Sequence, residues 1–299
     1  MPGMTTAPRL GPVWVLMGAS ALWGLSWWPL KALHGTGLSA PQVSVLAYGG
    51  VGALGLILLW RARAAWRAHR AWVLGLLLVG GWANASFVNA LMMGEVVRVM
   101  FLFYLSPVWS VLGGRWLLGE RITPLRLATV VLALCGLWLV LVGPRGPEAL
   151  LQGEVGLGLV DLLALSAGLA FAGNNLLARG ATGLNLQTKT VSVFVGSATM
   201  SLLAIAVLGQ GWPQPTAGAL LGALGYSLGL LLATVGWQYG VSHMEAGRSG
   251  VIVLAELVVA VLTALWWGDG QLSAAGWVGG ALITLAALLE AVAGGGEPA

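Results

Sequence analysis

The chain has 299 residues, of which 58% are hydrophobic and 8% charged, and its mean hydropathy is +0.89. A soluble domain does not cover its surface with so few charges, so the composition predicts an integral membrane protein. The pI near 9.7 comes from basic residues in short loops, which indicates membrane topology rather than nucleic-acid binding. The single cysteine, Cys135, excludes an intrachain disulfide.

Apolar runs of about 20 residues, the length that spans a bilayer, follow one another along the chain. The ten predicted transmembrane segments cover residues 13–33, 40–60, 72–93, 98–118, 124–143, 156–178, 189–209, 217–240, 248–267 and 273–292. Glycine and proline separate them, and the first run is too long for a cleavable signal. The predicted fold class is therefore all-α and integral to the membrane, with ten transmembrane helices.

Two halves of the chain share a pattern of polar residues. Glu95 and Arg98 recur as Glu245 and Arg248, exactly 150 residues later. Such an internal repeat predicts two related units, at residues 1–147 and 148–299. Each unit has five segments, an odd number, so the units enter the membrane in opposite directions. Inverted repeats of this kind are common in secondary transporters.

The basic residues are distributed unevenly between the two sides of the predicted membrane. One side, with both termini, carries Arg9, Arg61, Arg63, Arg67, Arg70, Arg115, Arg121, Arg126, Arg179, Lys189 and Arg248; the other carries Lys31, Arg98 and Arg145. The positive-inside rule therefore predicts that both termini are cytoplasmic. The loop from Arg61 to Trp72, with arginines and tryptophans interleaved, resembles a nucleic-acid patch but is predicted to lie against anionic headgroups.

The first segment places Trp23, Trp27 and Lys31 on one helical face at spacings of four residues. Trp23 lies near the centre of the segment, where an interfacial tryptophan does not belong, so it is predicted to line a cavity. Lys31 fits either a cavity or an interfacial anchor whose ammonium snorkels to the surface.

The third and fourth segments carry polar and aromatic residues at membrane depth. The candidate cavity residues there are Trp82, Asn84, Asn89, Tyr104 and Trp109. An amide in hydrocarbon needs a partner, so the asparagines serve either as glue between helices or as substrate contacts. Pro107 removes a backbone hydrogen bond and predicts a bend in the fourth segment.

The second half contributes a further set of candidates. They are Asn174 and Asn175 in the sixth segment, Tyr226, Gln238 and Tyr239 in the eighth, and Glu256 in the ninth. A glycine stripe in the eighth segment, including Gly225 and Gly229, predicts a face for close packing or sliding. Glu256 is an acid in the middle of a span, which costs roughly 2.5–3.5 kcal/mol and marks a functional candidate, although a structural, amide-paired carboxyl also fits.

The fifth and tenth segments are nearly free of polar side chains. Gly276 and Gly280 give the tenth a small-residue face. These two segments are predicted to face lipid or to self-associate, giving a monomer or a weak homodimer.

These features together resemble the drug/metabolite transporter superfamily with its EamA-type repeats. The residues that carry the resemblance are Lys31 and Arg179 at the ends of the first helices, Ser106-Pro107 in a fourth helix, and Gly119-Glu120. The second half departs from the pattern, since Leu-Glu-Pro reads Ala255-Glu256-Leu257 and the closing Gly-Glu reads Gly268-Asp269.

Within that superfamily, the tryptophan-rich first segment is similar to exporters of aromatic and neutral amino acids in bacterial inner membranes. The resemblance implies a central cavity lined by segments 1, 3, 4, 6, 8 and 9, without cofactor or metal. It predicts export of aromatic and other small neutral amino acids by alternating access. A multidrug or other metabolite exporter of the same fold is the alternative.

Two other classes fit the sequence poorly. Gly225-Tyr-Ser227-Leu-Gly229 matches a nucleophile-elbow pattern and raises a membrane-embedded hydrolase. Of the three histidines, His243 lies too far along the helix from Ser227 to act as its base, and His34 and His69 lie in or near loops. No Walker loop or Cys/His cluster is present, and no charged ring or filter motif indicates a channel.

Overall fold

The structure is a computed structural model that describes residues 10–117, 123–142, 157–243, 246–268 and 270–294. All regular structure in these residues is helical, and no strand occurs among them. We number the α-helices in chain order: α1 (Leu10–Gly24), α2 (Trp27–His34), α3 (Ala40–Arg61), α4 (Arg63–Trp66), α5 (Arg70–Gly75), α6 (Gly81–Met93), α7 (Val96–Phe103), α8 (Ser106–Leu117), α9 (Pro124–Leu141), α10 (Leu159–Gly180), α11 (Leu186–Val207), α12 (Ala217–Ser242), α13 (Ala246–Trp267) and α14 (Ala274–Gly294).

Seven helical stretches in the described part of the chain are long and apolar enough to cross a membrane. They are Ala40–Arg61, Arg67–Met93, Val96–Gly113, Pro124–Leu141, Leu159–Ala178, Leu186–Val207 and Ala217–Trp237. Two shorter apolar helices, Ile252–Trp267 and Ala274–Leu289, follow them. The protein is therefore an all-helical membrane protein, as predicted. The predicted boundary at residues 147 and 148 and the closing Gly119-Glu120 lie outside the described residues.

Side-chain caps fix where several of the long helices begin. The Ser39 hydroxyl accepts the Gln42 N–H while the Gln42 side chain accepts the Ser39 N–H, which is a complete capping box before α3. Asn185 caps α11 and Thr216 caps α12 in the same way, through their side-chain oxygens. These caps satisfy backbone donors that would otherwise be orphaned at the membrane boundary.

Two predicted segments are broken rather than continuous. The first, predicted as one helix over 13–33, divides at a turn over Leu25 and Ser26 into α1 and α2. The fourth divides at Tyr104 and Leu105, just before the Ser106-Pro107 step where a bend was predicted. Pro107 lies in the first turn of α8, where a missing N–H costs nothing. The ninth segment, α13, is continuous through Glu256.

The long helices pack into two bundles. In the first, α1 packs on α12 and α13, and α2 packs on α12; we call these four helices the α1 bundle. In the second, α10 packs on α6, α7 and α8; we call these four helices the α10 bundle. Two further pairs complete the molecule, α3 on α11 and α9 on α14. Each pair meets at glycines, with Gly55 against Val191 and Gly136 against the Gly279 carbonyl.

The two ends of the molecule differ in how the bundles meet. We name them the Lys31 end and the Arg61 end after residues that lie there. At the Lys31 end α2 packs on α6 and α7 packs on α13, and one buried apolar cluster runs through all four helices. At the Arg61 end the described residues form two separate smaller buried clusters, one around α5 and the end of α10 and one among α8, α9 and α14. The apolar core therefore joins the bundles at the Lys31 end.

The small-residue face of α14 is used inside the chain. Gly280 lies directly on the Phe101 ring of α7, and Gly279 lies on the Gly136 carbonyl of α9. A side chain at either position would collide with these neighbours. Gly280 thus packs within its own chain rather than presenting a free surface to a second copy.

Candidate functional site

The two helix breaks lie on either side of Glu256 in α13. On one side, α1 ends at Gly24, where an added Cβ would stand 2.6 Å from the Glu256 carbonyl oxygen. Only glycine permits this approach between α1 and α13. On the other side, α7 ends at Phe103 and is followed by Tyr104, which lies next to the Glu256 carboxyl. Discontinuous helices near the midplane are where transporters build substrate and ion sites.

The contact between Tyr104 and Glu256 connects the two bundles, since α7 belongs to one and α13 to the other. No salt bridge to Glu256 is present in the described residues, where the Arg98–Asp161 pair lies elsewhere. A carboxyl at membrane depth without a cation is costly, so Glu256 is a candidate functional residue. Its chemistry suits a positive charge, either a proton or the ammonium group of a cargo.

Aromatic residues with polar neighbours lie at the break between α1 and α2. Trp27 is 3% exposed, and its Nε1 donates to the Thr263 hydroxyl at 3.0 Å. The buried Tyr226 lies close to Ser26 at the break between α1 and α2. Trp23 packs, partly buried, against the same apolar cluster. Four predicted site residues, Trp27, Tyr104, Tyr226 and Glu256, therefore lie in the buried region around the two breaks, together with Trp23 at its edge.

The polar residues of α6 are engaged within the α10 bundle and with α11. The Trp82 Nε1 donates to the Ser166 hydroxyl at 3.3 Å, although the residue is 43% exposed. The Asn84 amide donates to the Ser197 hydroxyl of α11 at 3.1 Å. Asn89 donates to the Ala85 carbonyl of its own helix. In this conformation their hydrogen bonds serve helix packing.

Two predicted site residues keep buried polar atoms without a hydrogen-bond partner, Trp109 Nε1 and Asn174 Oδ1. Asn174 faces the π-helical turn, where a Cβ added to Gly80 would stand 2.5 Å from its Oδ1. π-Helical turns recur at functional sites because they displace backbone groups from the regular ladder. The neighbouring Asn175 is partly buried.

The remaining predicted residues lie away from this region. Lys31 donates from Nζ to the Gly94 carbonyl at 2.9 Å, at the end named after it. Tyr239 is half-exposed and stacks on the His243 ring, with 4.3 Å between centroids. The Gln238 side chain lies outside the described residues. A Cβ added to Gly225 or Gly229 would have no atom within 4 Å, and the helix α12 is continuous at both positions.

Ser227 has a packing role in the structure. Its buried hydroxyl donates to the Ala47 carbonyl of α3, so it ties α12 to that helix. The His34 and His243 rings each contact a backbone carbonyl near their own helix, at Leu38 and Tyr239. In the described part of the chain no group of three His, Cys, Asp or Glu residues is placed to hold a metal ion.

Sequence reasoning missed the polar contacts at the Lys31 end. Arg98 forms two hydrogen bonds to Asp161, at 2.7 and 2.9 Å, across 63 residues of sequence. The Glu95 carboxylate accepts the Gln271 N–H at 3.4 Å. One signal was available: Asp161 is an acid in the first turn of an otherwise apolar helix, where a carboxylate caps the helix start.

The helices define a multi-pass membrane protein. Residues 10–142 match the model of the EamA-like transporter family. The resemblance to the drug/metabolite transporter superfamily is thereby confirmed.

Two further proteins are similar to this chain over most of its length. A riboflavin transporter of Rhizobium johnstonii is 26% identical over 233 residues, which are 75% of this chain and 72% of that protein. A crystal structure of a protein 21% identical aligns with 94% of this chain and 97% of its own chain at a TM-score of 0.57, which supports a shared fold.

Proposed function

We propose that the protein exports aromatic and other small neutral amino acids across the bacterial inner membrane by alternating access. The observation that carries this proposal is the junction at Glu256. There a carboxyl, a tyrosine hydroxyl and buried aromatic rings meet between two helix bundles, beside two helix breaks. A cargo bound at this junction would contact both bundles, so its binding and release would be coupled to their relative movement.

The helix packing supports ten spans in two inverted repeats, residues 1–147 and 148–299. The first segment packs on the eighth and ninth, and the sixth packs on the third and fourth. The sixth, third and fourth segments are the repeat counterparts of the first, eighth and ninth, so the two sets of neighbours correspond. In the pairs α3 with α11 and α9 with α14, each helix packs on its own repeat counterpart. This is the packing expected of related halves inserted in opposite directions.

The charge distribution supports the orientation. The Arg61 end carries most of the basic residues, so it faces the cytoplasm with both termini, and the Lys31 end faces outward. The bundles are joined at the Lys31 end, which supports assigning this conformation to a state closed toward the outside.

The cargo class follows from the residues at the junction. The rings of Trp27, Tyr104 and Tyr226 suit an aromatic side chain, since ring pairs contribute about 0.5–1.5 kcal/mol beyond burial. Glu256 suits an ammonium group. In α8, which follows Tyr104, Trp109 carries a buried Nε1 without a hydrogen-bond partner, a donor suited to a carboxylate. A zwitterion carries no net charge, so the membrane potential does little work on it.

A flat aromatic metabolite is a second candidate cargo. The relative named as a riboflavin transporter favours it, and buried tryptophan and tyrosine rings also suit a large planar ring system. The two cargo classes differ in charge groups, because an amino acid presents an ammonium that Glu256 can bind.

The test is uptake into liposomes of labelled amino acids and of riboflavin, with and without a pH gradient. We expect aromatic amino acids to enter and Glu256→Gln to slow them at least tenfold, whereas Trp138→Phe on the exposed face of α9 changes nothing. Uptake of riboflavin alone would replace the cargo class, and no uptake of either would contradict the proposal.

A further inference from the structure

Among the polar side-chain contacts of the described residues at the Lys31 end, three differ in which bundles they connect. Lys31 bonds the Gly94 carbonyl, Glu95 accepts the Gln271 N–H, and Arg98 pairs with Asp161. The first links α2 of the α1 bundle to the end of α6 in the α10 bundle. The second links the start of α7 to the connection that follows α13. The third stays inside the α10 bundle, between α7 and α10.

The Lys31 contact is built at a helix terminus. Gly94 caps α6, and the carbonyls at a helix C-terminus lack intrahelical partners and carry partial negative charge. The ammonium of Lys31 supplies both a donor and a positive charge at 2.9 Å. This is a charge-assisted hydrogen bond across the boundary between the bundles.

Close packing accompanies the Glu95 contact. A Cβ added to Gly270 would stand 3.0 Å from Val97, and one added to Gly268 would stand 3.2 Å from the Trp27 ring. The connection between α13 and α14 therefore lies directly on the start of α7 and the side of α2. Opening this end requires these surfaces to separate.

The Arg98–Asp161 pair has a different place. Asp161 also accepts the Gly158 N–H at the start of α10, so the pair ties α7 to a helix terminus in the same bundle. The carboxylate side chain is 9% exposed and both of its oxygens are bonded. A contact inside one bundle does not have to break when the bundles separate.

We propose that the Lys31–Gly94 and Glu95–Gln271 contacts form the gate that holds the Lys31 end closed, while Arg98–Asp161 is a brace that moves with the α10 bundle. The gate residues are positioning residues: they set the balance between closed and open states and do not bind cargo. This inference rests on the alternating access proposed above.

Hydrogen–deuterium exchange on the purified protein tests the gate without knowledge of the cargo. For Lys31→Met we expect backbone amides of 94–101 and 270–273 to exchange about tenfold faster, since a bond from a charged donor is worth that much in an equilibrium. Amides of α1 and α8 at the Arg61 end should exchange more slowly, because opening one end closes the other.

Matched variants separate a gate from a general loss of stability. Glu95→Ala should speed exchange of the same amides as Lys31→Met, but by about threefold, since its hydrogen bond is longer. Glu95→Gln should change their exchange little, because the amide keeps an acceptor. Arg98→Gln should speed exchange in α7 and α10 without protecting the Arg61 end.

Two outcomes overturn the gate. One is faster exchange at both ends in Lys31→Met. The other is that Arg98→Gln slows exchange at the Arg61 end as much as Lys31→Met does. A failure of the transport assay with reciprocal exchange intact would reject the cargo and leave the gate. Active transport with unchanged exchange would reject the gate alone.

Discussion

The two ends of the molecule contrast in how the bundles meet. At the Lys31 end, hydrogen bonds and a continuous apolar cluster join the bundles. At the Arg61 end the buried clusters in the described residues are smaller and separate, and α8 packs with α9 and α14 while α1 packs with α12. The fourth segment shows this contrast within itself, since α7 packs on α13 and α8 turns away after the break at Tyr104. The helix breaks therefore lie between the end where the two bundles are joined and the end where they are separate.

The largest expected effect comes from locking the joined end. A Val97→Cys and Gly270→Cys pair in a Cys135→Ser background brings two sulfurs within reach, since Val97 lies 3.0 Å from the Cβ position of residue 270. Oxidation should lower transport to background, and a reductant should restore it, because the bundles can no longer separate at the Lys31 end. The measurement is uptake by oxidised and reduced proteoliposomes.

A disulfide within one bundle is the control for this lock. An Ala19→Cys and Gly236→Cys pair joins α1 to α12 at the Arg61 end, where the Cβ positions are 3.3 Å apart. Both helices belong to the α1 bundle, so transport should continue. Equal transport by the oxidised and reduced Val97–Gly270 pair would show that the Lys31 end does not open.

The next effect tests the junction between the two ends. Removing the carboxyl with Glu256→Ala should reduce initial uptake by about tenfold to a hundredfold, since it removes the group proposed to bind the cargo ammonium. Tyr104→Phe keeps the ring and loses only the hydroxyl, so it should cost about tenfold or less. Initial rates over a range of cargo concentrations measure both, and a Tyr104→Phe rate below that of Glu256→Ala would contradict the assigned order.

A smaller effect concerns stability within the α1 bundle. Gly24→Leu places a side chain where the Glu256 carbonyl lies 2.6 Å from Cβ, so unfolding should become easier by about 1–3 kcal/mol. Gly18→Leu, in the same helix, meets no atom within 4 Å and should change stability by less than about 0.5 kcal/mol. Denaturant unfolding in detergent compares them, and equal losses would show that α1 does not approach α13 this closely.

The smallest expected effect is a pH dependence of the closed end. Burial raises the pKa of Glu95, and the Gln271 N–H, Arg98 and Lys31 oppose it by lowering that pKa. A raised pKa in the closed state means that the closed state binds the proton more readily than an open, hydrated one. Protonated Glu95 therefore stabilises the closed state below the ordinary pKa of a glutamate, and this stabilisation is lost as pH rises through the raised pKa.

Hydrogen–deuterium exchange of residues 94–101, corrected for intrinsic rates, measures this dependence from about pH 4 to pH 8. Protection should be greater at the acid end of the range, and Glu95→Gln should make it flat. Protection that increases with pH in the wild type would contradict the assigned direction.

Much of the fold was predictable because the signals are local. Long apolar runs predict the helices, and caps such as Asn185 and Thr216 have clear sequence signatures. The break over Leu25 and Ser26 was not predictable, since no proline lies there and Pro29 falls in the first turn of the next helix. Its cause is tertiary: Gly24 packs on α13, and Ser26 lies close to Tyr226 of α12.

The sequence predicts several residues of the candidate site but not which residues they contact. Trp27, Tyr104 and Glu256 carry side chains that stand out at membrane depth, so sequence reasoning found them. The contacts of Trp27 with Thr263 and of Arg98 with Asp161 join residues far apart in sequence, and no periodicity encodes them. The glycine stripe of α12 predicts a face for close packing or sliding along its whole length. In the structure Gly236 and Gly240 pack on α1, whereas a Cβ added to Gly225 or Gly229 would meet no atom within 4 Å.

The most direct measurement is of the distance between the bundles at each end, with and without cargo. Paired spin labels at His34 and Leu159 report the Lys31 end, and labels at Trp116 and Leu232 report the Arg61 end; all four residues are exposed. We expect a transported amino acid to add a longer distance at the Lys31 end together with a shorter one at the Arg61 end. Distances that stay the same at both ends during transport would contradict alternating access between these bundles.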